Sequence, residues 1–225
     1  MNKRQKLSLR IRFINAVLKV FTRKVKSVGI ENIKEPSLIL ANHSGSKGPI
    51  RICMNFPYQF KTLIRGDLCD GLISAYKAAY NFRRERCHNN KFVSFLFAFF
   101  VSPFGYFLSH AKEAVPSYKD MRFQITVNKA KEEIENGGCV IIFGDSQSSD
   151  CINHDNKPLP GFIYIANYIY QSGRNIPINC SFYDITHNII TYSKSVYIKE
   201  LFDKGMSIED IQQYFGDLFE TLQLK

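Results

Sequence analysis

The sequence predicts an α/β fold: a single domain with a largely parallel central sheet flanked by helices, preceded by a basic amphipathic helix. Short apolar runs alternate with longer segments of helical periodicity, which is the pattern of α/β proteins. A chain of 225 residues with 45% hydrophobic and 22% charged residues is long and apolar enough to bury a sizeable core. Residues 1–26 form the predicted helix, and residues 27–225 the domain.

The first 26 residues carry nearly all of the net charge. They hold nine basic residues and no acid, in a chain with a formal net charge of +10. Apolar residues at steps of three and four predict a helix with one apolar face: Leu7, Ile11, Ile14, Leu18 and Phe21. Such a helix suits an anionic membrane surface, and it also suits packing on the domain with its basic face in solvent. Nucleic acid is disfavoured as a partner because the remaining chain is nearly neutral and has no nucleic-acid motif.

The elements of the domain follow from apolar runs and their periods. Strands are expected at residues 37–41, 60–64, 139–143, 176–180, 189–192 and 195–198. Helices are expected at residues 67–80, 119–135, 162–171 and 208–222.

The most apolar stretch is residues 92–108, which contains seven phenylalanines. A membrane-spanning helix needs about 20 apolar residues, so this stretch is borderline, and Pro103 interrupts it. Its composition suits a core helix, an acyl-chain pocket or a surface that dips into a membrane. The sequence leaves these three alternatives open.

The six cysteines lack the spacing of a structural metal site, so no metal is expected. The sequence shows no secretory signal peptide, and reduced thiols in a cytoplasmic setting are expected.

Two polar loops, residues 42–49 and 144–149, directly follow predicted strands. Sites in α/β sheets cluster at the carboxyl ends of strands, so these loops form the candidate site. His43 suits a general base at neutral pH, and it equally suits a histidine hydrogen-bonded in a turn. Asp145 suits binding a hydroxyl, orienting a histidine or capping the turn.

The remaining candidates are substrate-binding residues in the same loops: Asn42, Ser44, Gly45, Ser46, Lys47, Gly48, Gly144 and Ser146. The glycines permit close approach of the backbone to a ligand. The serines of the first loop have the chemistry of nucleophiles, but no G-x-S-x-G elbow is present. The lysine suits a phosphate contact or a solvated loop position.

Four motifs occur in order over residues 27–200. They are Val-Gly-Ile-Glu-Asn-Ile at 28–33 leading to Asn-His at 42–43, Ile-Ile-Phe-Gly-Asp-Ser-Gln-Ser-Ser at 141–149, Leu-Pro-Gly-Phe at 159–162, and Asn-Ile-Pro-Ile-Asn-Cys at 175–180. The ordered set resembles the lysophospholipid (acylglycerol-phosphate) acyltransferases. That family has Asn-His-x4-Asp, Phe-Pro-Glu-Gly-Thr-Arg-Ser, a glycine-led helix and a Val-Pro-Ile-hydrophobic-Pro strand.

The motifs depart from the family pattern at several positions. Gly48 stands where the family has the aspartate that orients its histidine. In the second motif Gly144, Asp145 and Ser146 replace proline, glutamate and glycine. The family's phosphate-binding arginine has no clear counterpart, and the cations of that region are Lys112, Lys119 and Arg122.

The resemblance implies an O-acyltransferase of phospholipid biosynthesis. It would move a fatty acyl group from a thioester, acyl-CoA or acyl-carrier protein, to a hydroxyl of a lysophospholipid or glycerol-phosphate-like acceptor. His43 would be the general base, Asp145 the replacement acid, and the amides of Gly45 to Gly48 the oxyanion donors.

The resemblance implies no cofactor beyond the donor thioester, and it implies a peripheral or monotopic protein on the cytoplasmic face of the membrane. Two alternatives stay open: a catalytically silent lipid-binding relative of the same fold, and an acyltransferase that acts on a soluble acceptor.

Overall fold

The computed structural model describes residues 12, 15–16, 24–44, 47–85, 88, 90–111, 114–144 and 157–223, with the backbone alone at 104–105 and 107–111. The predicted helix at 1–26 therefore lies almost wholly outside the described residues. Four candidate site residues also lie outside them: Gly45, Ser46, Asp145 and Ser146.

Strands and helices alternate along the described chain. The strands are β1 (Lys26–Val28), β2 (Leu38–Ala41), β3 (Phe60–Arg65), β4 (Val115–Ser117), β5 (Cys139–Phe143), β6 (Pro177–Asp184), β7 (Ile189–Tyr192) and β8 (Val196–Tyr197). The helices are α1 (Lys47–Asn55), α2 (Gly66–Cys69), α3 (Leu72–Glu85), α4 (Lys91–Ala111), α5 (Phe123–Glu135), α6 (Gly161–Gln171), α7 (Ile198–Asp203) and α8 (Ile208–Gln223).

The chain divides into two compact units. Unit 1 comprises residues 1–60 and 130–225, and unit 2 comprises residues 61–129. The chain leaves unit 1 within β3 and returns to it within α5.

Unit 1 is built on a sheet whose centre is parallel. Its strands lie in the order β1-β7-β6-β2-β5, and β8 pairs with β6. The central strand β2 is parallel to both neighbours, with Ala41 opposite Phe143 on β5 and Ser181 on β6. Strand β6 pairs antiparallel with β7 and β8 at its other edge. The predicted α/β fold with a largely parallel central sheet is therefore confirmed.

Helices cover this sheet because β2 is apolar on both of its faces. All four residues of β2 are buried, as expected for a parallel strand between two layers. On one face, Ile52 and Phe56 of helix α1 and the segment after it join Ile39 and Ala41 in one apolar cluster. Helices α6 and α8 belong to unit 1 as well, and they meet through the rings of Phe162 and Phe215, whose centroids are 5.0 Å apart.

Unit 2 contains the parallel pair β3 and β4 together with helices α2, α3 and α4. Leu63 lies opposite Val115 in this pair. None of the helices among the described residues is long and apolar enough to cross a membrane.

Several elements differ from the sequence prediction, which includes neither β1, β4 nor α7. Three further differences concern helices. The helix expected at 67–80 is divided into α2 and α3, because Gly71 between them has a φ of +132°. The helix expected at 119–135 begins only at Phe123, after a turn in which Asp120 Oδ1 accepts the Arg122 N–H at 2.9 Å. Helix α1, which the sequence analysis missed, begins inside the loop expected at 42–49.

Candidate active site

His43 lies just beyond the carboxyl end of β2. Strands β5 and β6 run parallel to β2, so their carboxyl ends lie at the same edge of the sheet. The half-buried His43 ring packs edge-on against Phe143, the last residue of β5, with the ring centroids 5.7 Å apart and the planes at 69°. The structure thus places the predicted base where α/β folds bind their ligands.

Asn42 ties this segment to β6 by continuing the pairing of the strands with its side chain. Its Oδ1 accepts the Tyr183 N–H at 2.7 Å, and its Nδ2 donates to the Tyr183 carbonyl at 3.2 Å. Its own N–H donates to the Ser181 carbonyl at 3.1 Å. These bonds fix the backbone on one side of His43, which makes Asn42 a positioning residue in the described structure.

Ser44 fixes the other side of His43. Its hydroxyl donates to the Tyr183 carbonyl at 3.0 Å and accepts from Asn42 Nδ2 at 2.5 Å. Its φ of +37° lies in the left-handed region, which side chains other than glycine adopt only when the surroundings impose it. Asn42, His43 and Ser44 therefore form one constrained turn centred on the backbone of Tyr183.

Gly48 lies in the first turn of α1 and contacts the backbone of His43. A Cβ at this position would overlap the His43 carbonyl oxygen and lie 2.8 Å from its carbonyl carbon. The Gly48 N–H donates to the Ser44 carbonyl at 3.4 Å. The backbone thus occupies the space that an aspartate side chain would need, and this gives a steric reason for the departure from the family motif.

Lys47, the first residue of α1, is exposed. The amino end of a helix carries a partial positive charge. Since α1 directly follows the turn of Asn42 to Ser44, its positive end lies next to the segment that holds His43.

Gly144 is buried directly after β5. Its N–H donates to the Ala41 carbonyl at 3.1 Å, and its carbonyl accepts the Leu159 N–H at 2.7 Å. A Cβ at Gly144 would lie 2.8 Å from Leu40 Cδ1 and 3.1 Å from Pro158 Cβ. The protein itself thus fills the space beside Gly144, and the Leu159 bond joins the described residues on the two sides of residues 145–156.

A second imidazole lies in the turn after β6, and the sequence analysis assigned it no role. His187 Nδ1 lies 2.6 Å from Asp184 Oδ2, and His187 is 70% exposed at its side chain. The hydrogen bond with His187 holds the pKa of Asp184 below its ordinary value. Asp184 Oδ1 also accepts the N–H groups of Thr186 and His187. These bonds are those of a capped turn, so His187 serves below as a control for His43.

Tyr183 is the residue of the site that sequence reasoning missed. Its backbone makes every side-chain hydrogen bond that anchors Asn42 and Ser44 to β6, and its hydroxyl donates to Asn188 Oδ1 at 2.8 Å. The predicted strand stopped at Cys180, because polar Ser181 interrupts the apolar run. The sequence does carry a signal for a longer strand. After Cys180 the side chains alternate between the two faces, and Ser181 and Tyr183 share one face.

The cations expected near a phosphate lie in unit 2 or outside the described residues. Arg122 contacts two carboxylates, Asp70 at 2.8 Å and Asp120 at 2.9 Å, and its guanidinium lies over the Tyr118 ring. Lys119 is exposed directly after Tyr118, and Lys112 lies outside the described residues. Arg122 is thus held by acids of its own unit.

The structure brings together Asn42, His43, Ser44 and Gly48, and it places Gly144 at the end of the neighbouring strand. The described parts of the chain contain no group of three or more metal-ligating side chains.

Comparison with known proteins supports this architecture at the level of the fold. No family model matches the sequence, and no curated protein matches it. Among solved structures, the chain is similar to the crystal structure of PlsC, the 1-acyl-sn-glycerophosphate acyltransferase of Thermotoga maritima, with a TM-score of 0.50 and 14% sequence identity. The similarity covers 94% of this chain and 78% of that one. The chain therefore has the fold of a glycerophosphate acyltransferase.

Proposed function

We propose that the protein is an O-acyltransferase that moves a fatty acyl group from an acyl thioester to a hydroxyl of a lysophospholipid or glycerol-phosphate-like acceptor. The observation that carries the proposal is the placement of His43 in a constrained turn at the carboxyl end of β2. The similarity in fold to PlsC and the ordered motifs at 28–43, 141–149, 159–162 and 175–180 support the same reaction.

In the proposed reaction His43 accepts the proton of the acceptor hydroxyl. The hydroxyl oxygen attacks the thioester carbonyl carbon, and the tetrahedral intermediate expels the thiolate. The thiolate then takes the proton from His43, which restores the neutral imidazole and releases the free thiol. A general base of this kind contributes about 10²–10⁴ in rate.

Two features of the turn support this chemistry. The Asn42 and Ser44 bonds hold the backbone of His43 in place, which lowers the cost of positioning the imidazole. The positive end of α1 lies beside the same turn, where it would stabilise the oxyanion together with amides of the Gly45–Gly48 segment.

The acid partner of His43 is part of the proposal. Gly48 has no carboxylate, and we assign the role of orienting His43 or the acceptor to Asp145. Asp145 follows Gly144, and Gly144 follows the strand residue whose ring contacts His43. The donor would be acyl-CoA or acyl-carrier protein, and the basic residues of 1–26 would bind the anionic cytoplasmic face of the membrane.

A second candidate is a catalytically silent lipid-binding protein of the same fold. The observation that favours it is Gly48, because the loss of a carboxylate that orients a catalytic histidine costs orders of magnitude in rate. An acyltransferase for a soluble acceptor remains the third alternative, and it predicts no partition to membranes.

The deciding experiment measures thiol release and the acylated product from palmitoyl-CoA and palmitoyl-acyl-carrier protein, with and without 1-acyl-glycerol-phosphate or glycerol 3-phosphate. Wild type is compared with His43→Ala, Asp145→Asn and the control His187→Ala. We expect acceptor-dependent transfer that falls at least about 10²-fold in His43→Ala and is unchanged in His187→Ala.

The outcomes separate the candidates. Transfer that survives His43→Ala, or that depends on His187 instead, would exclude the proposed base. Tight lipid binding without transfer to any acceptor would favour the silent relative. Transfer to glycerol 3-phosphate alone would keep the proposed reaction and exclude a lysophospholipid as the acceptor.

A further inference from the structure

Helices α3 and α4 of unit 2 bury small residues and expose large ones. The buried residues of α3 are Ala75, Ala78 and Ala79. The buried residues of α4 within the first three turns are Ser94, Ala98 and Ser102, spaced four apart. Small residues at this spacing let helix backbones approach closely, an arrangement that is frequent among helices that pack in lipid.

Hydrogen bonds show how closely these helices approach. Ser102 Oγ donates to the Ala98 carbonyl at 2.6 Å within α4, and it lies 3.4 Å from the Ala75 carbonyl of α3. Ser94 Oγ donates to the Asn90 carbonyl at 2.9 Å. The buried hydroxyls of Ser94 and Ser102 are therefore satisfied by backbone carbonyls, without large side chains.

The large apolar side chains point outwards instead. Nine of the seventeen large apolar residues that are exposed in the described chain lie on these two helices. We call the following set the aromatic face: Phe92, Phe95, Leu96, Phe99 and Phe100 of α4, with Tyr76 and Tyr80 of α3. Phe92 and Phe100 are 69% and 71% exposed. This exposure excludes the core helix from the three alternatives for residues 92–101, because a core helix would bury these rings.

The rings of the aromatic face contact one another across the two helices. Tyr76 lies 6.2 Å from Phe95 and 6.3 Å from Tyr80, and Phe95 lies 6.3 Å from Phe99. Tyr76, Tyr80, Phe92 and Phe95 line an open groove of about 510 Å³ together with Lys91. Tyrosine and lysine beside an apolar surface are typical of the boundary between lipid and water.

The charges around the aromatic face are almost all positive. Residues 72–111 contain five lysines and arginines, with Glu85 as the single acid. Lys77, Arg84 and Lys91 are exposed, and the Arg83 guanidinium lies 4.3 Å from the centre of the Phe97 ring. An exposed apolar surface rimmed by cations complements an anionic lipid headgroup layer over an acyl-chain interior.

We propose that the aromatic face is a docking surface for an anionic lipid bilayer, with the rings of α4 inserted among the acyl chains and Lys77, Arg84 and Lys91 at the phosphates. The exposed large side chains that the structure describes on α4 run from Phe92 to Val101, about 15 Å at 1.5 Å per residue, and in the proposal this part of the helix lies along the interface. The aromatic face shares no residue with the basic segment 1–26.

Charge argues for a bilayer over a second copy of the chain. A two-fold interface would set the same face against itself and bring the cations of both copies together. A bilayer that contains acidic lipids takes both the rings and the cations. The proposal rests on the proposed function only for the reason why the protein would bind a bilayer. The experiments that test it measure binding and require no acyl transfer.

The first test uses the absence of tryptophan from the chain. A Phe99→Trp variant of the full chain carries a single indole on the aromatic face, and a Tyr214→Trp variant carries one on α8, at a position 38% exposed. Added vesicles of phosphatidylglycerol and phosphatidylcholine should shift the emission of Phe99→Trp to the blue and shield it from acrylamide, with no change in Tyr214→Trp. Unchanged emission of Phe99→Trp on vesicles that carry the protein would overturn the proposal.

The second test compares sedimentation with these vesicles for wild type, the variant F92Q/F99Q/F100Q and the control M121Q/I125Q/Y214Q. The control changes three exposed apolar residues elsewhere, Met121, Ile125 and Tyr214. We expect a drop of about tenfold or more in partition for the aromatic-face variant only. Equal binding of both variants would assign docking to another surface. A lipid-free dimer that the aromatic-face variant alone dissociates, with vesicle binding intact, would assign the face to a second copy.

The two proposals fail separately. A protein that binds through the aromatic face but transfers no acyl group contradicts the proposed function alone. A protein that transfers acyl groups to 1-acyl-glycerol-phosphate but does not bind vesicles contradicts the bilayer proposal alone.

Discussion

Gly48 has no Cβ, and this lets helix α1 approach the carbonyl of His43 closely in the candidate site. It stands where the family that the motifs resemble has an aspartate. We predict that Gly48→Ala lowers the free energy of unfolding by about 1–3 kcal/mol, because the added methyl forces the backbone apart. Urea unfolding of the variant and wild type measures this difference.

The matched control is Gly161, which has no atom within 4 Å of an added Cβ. Gly161→Ala should change the stability by less than about 1 kcal/mol. Gly48→Asp should lower the rate of acyl transfer below that of wild type, because the carboxylate cannot fit at this position without displacing His43. A gain in transfer in Gly48→Asp would contradict the steric account.

Asn42 acts on His43 through the backbone of Tyr183. The effect of its amide group can be tested with aspartate, which has nearly the same shape. Asn42→Asp replaces the donor to the Tyr183 carbonyl with an oxygen, so two acceptors face each other. We predict a loss of about 1–3 kcal/mol in the free energy of unfolding and a larger loss at pH 7 than at pH 3, because the carboxylate is ionised and repelled at pH 7 but protonated and able to donate at pH 3. Urea unfolding at the two pH values measures both effects.

Tyr183→Phe is the control for this prediction. It removes only the hydroxyl bond to Asn188 and keeps the backbone bonds to Asn42. It should therefore lose less stability than Asn42→Asp and retain the transfer activity. Equal losses in both variants would mean that the Asn42 amide has no special role.

At the scale of elements, a network in unit 2 links the end of α2, the residue after β4 and the turn before α5. The Tyr118 hydroxyl donates to Asp70 Oδ1 at 2.5 Å, and Arg122 Nη1 donates to Asp70 Oδ2 at 2.8 Å. The hydrogen bond to Asp70 raises the pKa of Tyr118 to about 12 and lowers the pKa of Asp70.

The pKa shift of Tyr118 predicts a loss of stability at alkaline pH. The folded protein keeps the phenol protonated to a higher pH than the unfolded chain does, so the contribution is complete below pH 10 and falls as the pH rises from about 10 to about 12. The lowered pKa of Asp70 has its effect at acidic pH. The contribution of Asp70 to stability is present above the ordinary pKa of 3.8 and is lost as the pH falls below that value. Tyr118→Phe should remove the Tyr118 part of the alkaline loss in denaturant titrations between pH 8 and 11.

Tyr197 provides the control, since its hydrogen bond to Glu35 raises its pKa to about 12 in unit 1. Tyr197→Phe should remove its own part of the alkaline loss and leave the part of Tyr118 in place. Identical alkaline profiles of Tyr118→Phe and wild type would contradict the assignment of the network.

The elements also show what a sequence can predict and what it cannot. The apolar strands β2 and β5 were predicted with their bounds nearly right, because a strand buried on both faces is a continuous apolar run. Helix α1 was missed because Gly48 and Pro49 read as a loop, whereas they form its first turn.

The candidate site was predicted in part. His43 stood out because of its residue type and its place after a strand. The roles of Asn42 and Gly48 depend on contacts with Tyr183 and the His43 carbonyl, which only the folded chain brings together. Likewise, the periodicity of residues 92–101 could not tell a buried face from an exposed one, because both faces of α4 lack charge.

At the scale of the whole molecule, positive charge is concentrated in two places. Residues 1–26 have nine basic residues and no acid, and residues 72–111 have five basic residues and one acid. The rest of the chain must then carry a net negative charge, since the total is +10. The proposed attraction of these two segments to an anionic surface would weaken with added salt.

This distribution predicts that the effect of salt on activity depends on where the acceptor is. Raising the salt from about 0.1 M to about 1 M shortens the screening length from about 10 Å to about 3 Å. Transfer to an acceptor embedded in phosphatidylglycerol vesicles should then fall several-fold, whereas transfer to a water-soluble short-chain acceptor should change less than about twofold. The variant F92Q/F99Q/F100Q should transfer slowly to vesicles at either salt concentration and normally to the soluble acceptor. Initial rates with both acceptors measure this, and an equal effect of salt on both would mean that charge acts at the chemical step and not at the membrane.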